Sequence, residues 1–164
     1  MKALVTYYSE TGNTEKPARA IYDGIEWAEK GIVPIKEAPK VEDYDVIFCG
    51  FPVHASSVPP KVEPFLKGIE EGKMLAIFTT HGSLRGGQLA ITAFHYAMSL
   101  ALKVIGTFGC RGKVKPDLIE ALMKKPEHRS WAIEAQSATG HPDEADLKDG
   151  KEFARWMITK ARSL

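Results

Sequence analysis

The stretch Ser9-Glu10-Thr11-Gly12-Asn13-Thr14 sets three hydroxyls, one glycine and one carboxamide directly after the apolar run KALVTY. A glycine among small hydroxyl residues lets neighbouring backbone N–H groups converge on one point. Ser9, Thr11 and Thr14 add side-chain donors beside the positive end of a helix. The chemistry this serves is anion binding. No Gly-Lys-Ser/Thr follows, as a nucleoside triphosphate would require, and no GxGxxG stands here for a dinucleotide. The guest is then a phosphate monoester that need not react. An isolated Thr-Gly-Asn is also an ordinary turn with a helix cap. Position favours the ligand, because the loop occupies the first strand-to-helix turn of an α/β chain, where ligands collect at the carboxyl ends of strands.

Two further loops carry polar groups at equivalent places. Pro52, Val53, His54, Ala55, Ser56, Ser57 and Val58 follow the third apolar run, and Thr80, His81, Gly82, Leu84 and Gly87 follow the fourth, with Arg85 among them. A loop histidine is by default solvated or bonded to backbone. Two of them with Arg85, if the loops lie together, would make a cationic surround for a bound ligand. Other chemistries are absent: GSLRG is not a GxSxG elbow, HExxH and paired-histidine spacings are missing, and no nucleic-acid motif occurs. A phosphoacceptor receiver would need an aspartate ending the third strand, where Cys49-Gly50 stands.

The elements that must position these loops alternate along the chain. Short β-rich runs at 2–7, 32–36, 45–50, 74–79 and 104–109 are separated by helical stretches at 14–29, 60–70, 87–102, 116–125 and 142–162. This is the pattern of a parallel sheet covered by helices on both faces. Pro34 marks the second strand as an edge. In the last helix Pro142 suits the first position, with Asp143, Glu144 and Asp146 at the positive end and Lys160 and Arg162 at the negative end. The helix of 87–102 carries no formal charge after Gln88, and Ile91, Phe94, Met98, Ala101 and Leu102 form a broad apolar face. Burial of that face is one reading, and docking of a second copy to give a homodimer is the other.

At 164 residues the chain is read as one domain, with 44% hydrophobic residues to fill a core. A net charge of +1 supplies no bulk field toward nucleic acid or an anionic membrane. Lys103 interrupts the longest apolar run, and the N-terminus turns polar after five residues, so the expected location is the cytoplasm. Cys49 and Cys110 belong to no CxxC or Cys/His cluster and read as small buried hydrophobes, and no metal site is expected. Around the fifth strand Arg111, Lys113, Lys115, Lys124, Lys125 and Arg129 outnumber the acids, which reads as a solvated basic face, with docking of an acidic partner as the alternative.

The phosphate-type loop resembles that of the flavodoxin superfamily, Ser/Thr-x-Thr-Gly-Asn-Thr, which grips the terminal phosphate of FMN. The loops after the third and fourth strands and the segment Gly140-His141-Pro142-Asp143 with Asp146-Leu147 extend the likeness over essentially the whole chain. The resemblance implies a flavodoxin-like doubly wound parallel sheet of order 2-1-3-4-5. FMN would lie at its switch point, with residues 9–14 on the phosphate and residues 52–58 and 80–87 around the ring. Cys49 and Cys110 would then be two strand spacings apart, roughly 9 to 10 Å, too far for a disulfide.

The implied function is transfer of electrons by FMN between a reductase and an acceptor protein. Alternatives are two-electron reduction of a quinone or other conjugated small-molecule acceptor, and an interaction module without flavin. Three departures from the family bear on this. The chain is neutral rather than acidic, the two ring loops carry no aromatic residue except His54 and His81, and the second loop has no glycine. Ala55, Ser56 and Ser57 are therefore expected to resist a peptide flip into positive φ by about 1 to 2 kcal/mol relative to glycine.

Overall fold

The computed structural model describes residues 1–84, 87–100 and 103–164. Five parallel strands, β1 (Lys2–Tyr7), β2 (Glu29–Pro34), β3 (Val46–Pro52), β4 (Met74–His81) and β5 (Val104–Arg111), form a sheet in the order β2-β1-β3-β4-β5. The helices are α1 (Glu15–Gly24), α2 (Glu63–Lys67), α3 (Gln88–Leu100), α4 (Pro116–Met123), α5 (Arg129–Gln136) and α6 (Glu144–Arg162). Side chains alternate along each strand, so the sheet feeds two cores. Val5, Phe48 and Phe78 pack under α1 and α6 on one face, while Leu4, Ile47, Phe51 and Ile77 meet α2 and α3 on the other. Cys49 and Cys110 are buried, with β4 between their strands.

Several boundaries depart from the sequence expectation, each for a tertiary reason. Strands β3, β4 and β5 each run two residues further, because pairing continues through Pro52↔Thr80 and His81↔Arg111. Pairing also sets β2, which begins at Glu29 opposite Lys2 and ends at Pro34 opposite Tyr7. Helix α1 stops at Gly24 instead of continuing to 29. A Cβ there would sit 2.5 Å from the Lys151 carbonyl oxygen of α6, so the glycine permits close helix packing, and the helix ends where Ile25 turns extended. Pro142 lies outside α6. Asp143 caps that helix in a reciprocal box with Asp146, each carboxylate accepting the other residue's backbone N–H.

Helix α3 turns a different face inward than its large residues predict. Ala90, Ala93 and Ala97 are buried, whereas Leu89, Ile91 and Met98 remain exposed; Ala101 and Leu102 lie outside the described residues. Helix α5 has no counterpart in the expected elements, and with α4 it fills residues 116–136 above the carboxyl ends of β4 and β5. Among the described residues no helix is long and apolar enough to cross a membrane.

Candidate cofactor site

The loop after β1 leaves backbone donors without an acceptor among the described residues. Gly12 takes φ +84°, which a side chain would resist, and its N–H is accepted by Ser9 Oγ at 3.1 Å. Among the described residues no acceptor takes the N–H groups of Asn13, Thr14 and Glu15 at the start of α1. Thr14 does not cap its own helix. Its buried hydroxyl instead shares a 2.8 Å hydrogen bond with Thr80 Oγ1 at the end of β4. Asn13 Nδ2 donates to the Lys113 carbonyl at 2.7 Å, tying the loop to the segment after β5. Three open N–H groups at a helix N-terminus form an oxyanion seat. Beside it, the Tyr8 hydroxyl donates to Glu10 Oε1 at 2.5 Å and holds that carboxyl below its usual range, while bonding to Glu10 and burial raise Tyr8.

The loop after β3 closes on itself. His54 and Ser57 exchange both backbone hydrogen bonds, at 3.1 and 2.8 Å, and the two central residues take positive φ, Ala55 at 46° and Ser56 at 62°. This is a type I′ turn built without glycine. The expected resistance to positive φ is thus already overcome at both positions, at about 1 to 2 kcal/mol each. Ser57 closes the turn, and Val58 is buried in the core of the α2–α3 face rather than facing the loop's open side.

The loop after β4 is fastened to α5. Trp131 Nε1 donates to Ser83 Oγ at 3.1 Å, and the Leu84 N–H donates to Glu134 Oε1 at 2.5 Å. His81 Nδ1 lies 3.0 Å from the Ser83 carbonyl. Gly82 is flush against this roof: a Cβ on it would come within 2.5 Å of Val114 Cγ2. Arg111 is buried here, not part of a solvated basic face.

These loops enclose two adjoining spaces. A groove of about 230 Å³ is lined by Ser9, Glu10, Thr11, Asn13 and Thr14, by Pro52, Val53 and His54, and by Thr80, His81 and Gly82. It is completed by Lys113, Lys115, Leu118 and Trp131. A cavity of about 590 Å³ shares Val53, His54, His81, Gly82, Leu118 and Trp131 with it and adds Ala55, Ser56, Ser83, Leu89, Leu122, Glu127 and His128. Leu84 and Gly87 line neither space; Gly87 N donates to the Leu84 carbonyl at 3.0 Å, and Arg85 lies outside the described residues. Lys113 and Lys115, which the sequence placed on a solvated basic face, line the groove, and Leu118, Leu122 and Trp131, which sequence reasoning passed over, line the two spaces with them. The basic run Arg-Gly-Lys-Val-Lys was the available signal for the two lysines. Trp131 places an aromatic side chain beside the loops after β3 and β4, which carry none of their own besides His54 and His81.

A doubly wound parallel sheet with an oxyanion loop after β1, and ligand-sized space at the carboxyl ends of β1, β3 and β4, defines the flavodoxin-like class. Residues 4–155 match the family of flavodoxin domains, and the chain belongs to that family. It is 31% identical over 175 residues, and 98% of each chain, to the flavodoxin-like domain-containing protein BilS of Clostridioides difficile. An NAD(P)H dehydrogenase (quinone) 3 of Rhizobium meliloti is 25% identical, over 93% of this chain and 87% of that one. An archaeal flavodoxin shares the fold with a TM-score of 0.66 at 18% identity, over 99% of each chain.

Proposed function

We propose that this chain is an FMN-binding redox protein that passes electrons between a reductase and an acceptor. The observation that carries the reading is the set of open N–H groups of Asn13, Thr14 and Glu15 beside the hydroxyls of Ser9 and Thr11. That donor set suits the dianionic terminal phosphate of FMN. Lys113 and Lys115 add positive charge at its rim and offset Glu10. FMN, when bound, supplies one- and two-electron chemistry through its ring. The protein's part is to hold the phosphate, to place the His54–Ser57 turn on one side of the ring, and to close the other with Gly82, Ser83 and Trp131. The loop after β3 brings no carboxylate between Phe51 and Pro60, and the imidazole N–H groups of His54 and His81 can donate to the electron-rich reduced ring, while Glu127 is the carboxylate that lines the larger cavity.

A second reading, two-electron reduction of a quinone or other conjugated small molecule, draws support from the larger cavity. Its 590 Å³ falls in the usual range for small-molecule sites, and α4 and α5 roof it with Leu118, Leu122 and Trp131. Titration of the purified apo-protein with FMN and riboflavin tests the cofactor. FMN is expected to bind far more tightly, and equal affinities would sink the phosphate assignment. No binding of either would leave the flavin-free interaction module. With FMN bound, turnover of a naphthoquinone by the chemically reduced protein separates the enzyme reading from the carrier reading.

A further inference from the structure

Arg111, the last residue of β5, is 8% exposed, and no carboxylate pairs with it among the described residues. Its Nε donates to the Ser83 carbonyl at 3.1 Å. Its Nη2 lies 3.1 Å from the Gly82 carbonyl, 3.0 Å from the Glu134 carbonyl and 2.9 Å from Ser137 Oγ. These partners are dipoles; the carboxylate of Glu134, whose carbonyl is among them, is taken up by the Leu84 N–H and forms no ion pair with the guanidinium, so part of the buried charge stays uncompensated. Two of the partners belong to the loop after β4, which lines the cavity. The other two lie at the C-terminal end of α5, Glu134 in its last turn and Ser137 just beyond it, where the carbonyl end carries partial negative charge. The same helix carries Trp131, so one side chain joins the loop to the wall that faces it.

We propose that Arg111 is a positioning residue for the bound cofactor. Its fork locks residues 82–83 to α5 and so sets the gap between the loop and Trp131, and its charge favours the reduced, electron-rich state of the cofactor over the oxidised state. The inference rests on the FMN reading for its second half only. The lock is a property of the protein without ligand.

The test compares the wild type with Arg111→Met, which keeps the aliphatic stem without charge or donors, and Arg111→Lys, which keeps the charge without the fork. Hydrogen exchange of the apo-proteins reads the lock. Residues 82–84 and 131–137 are expected to lose protection in both variants while β1 and β3 keep theirs, and unchanged protection would overturn the lock. The midpoint potential of the FMN-loaded proteins reads the charge. In Arg111→Met the affinity for reduced relative to oxidised FMN should fall about tenfold, which for two electrons is about 30 mV more negative. Arg111→Lys should restore the wild-type potential without restoring the protection. Equal potentials in all three would overturn the electrostatic role, because a merely structural residue would weaken both redox states alike. If Arg111→Met does not fold, Arg111→Lys decides the lock by exchange, and the charge is read from Arg111→Gln. If the wild type takes up no FMN, the functional reading fails, while the exchange comparison still decides the lock.

Discussion

The two threonines of the oxyanion loop occupy the same motif but are held differently. Thr11 is exposed at the groove with its hydroxyl available to a ligand, whereas the Thr14 hydroxyl is buried against Thr80 Oγ1. Thr11→Ala should therefore weaken FMN binding by about 1 to 3 kcal/mol with little change in stability. Thr14→Ala should cost about 1 to 3 kcal/mol of folding stability, because it leaves the Thr80 hydroxyl unpaired. Denaturant unfolding beside FMN titration separates the two effects. Ser56 poses the opposite case, since its φ of 62° is paid in strain. Ser56→Gly should stabilise the apo-protein by about 0.5 to 1 kcal/mol, read as a rise in unfolding midpoint at constant slope. A loss of stability would mean that the Ser56 side chain makes a contact worth more than the strain.

At the scale of elements, α3 shows how a helix can be apolar nearly all round and still bury its smallest residues. Ala90, Ala93 and Ala97 let the helix axis approach the sheet, and the larger Leu89, Ile91 and Met98 are left at the flanks. Ala93→Leu should destabilise by about 1 to 3 kcal/mol through overpacking, and Ile91→Lys should change stability by no more than about 0.5 kcal/mol. Hydrophobic pattern alone would rank them the other way, and thermal unfolding of the two variants checks the order. Helix α5 escaped the sequence because its eight residues hold only Trp131, Ala132 and Ala135 as an inward set, too short a run for periodicity to register. The strand-to-helix alternation and the loop after β1 were legible because each is written in consecutive residues: β-rich runs bounded by turns, and a hydroxyl-rich glycine loop.

For the whole molecule, binding to the native state alone adds stability by mass action. FMN at a hundredfold excess over its dissociation constant should add about 2.7 kcal/mol. For a chain of this size that raises the melting temperature by about 5 to 11 °C. Riboflavin at the same concentration should give a much smaller shift, and a scanning calorimetry series with both ligands is the check. The sequence by itself determined the class of fold, the strand order that family resemblance implied, and the hydroxyl-rich glycine loop after β1, because those are encoded in local pattern and in a contiguous loop. Only the tertiary structure decided what surrounds the larger cavity beside that loop. Trp131 meets Ser83 across 48 residues, Arg111 reaches carbonyls 28 and 23 residues away, and Asn13 holds Lys113 across 100. Contacts of such separation leave no periodic trace along the chain; they arise when parallel pairing extends β4 and β5 by two residues and the chain beyond β5 folds back over their carboxyl ends.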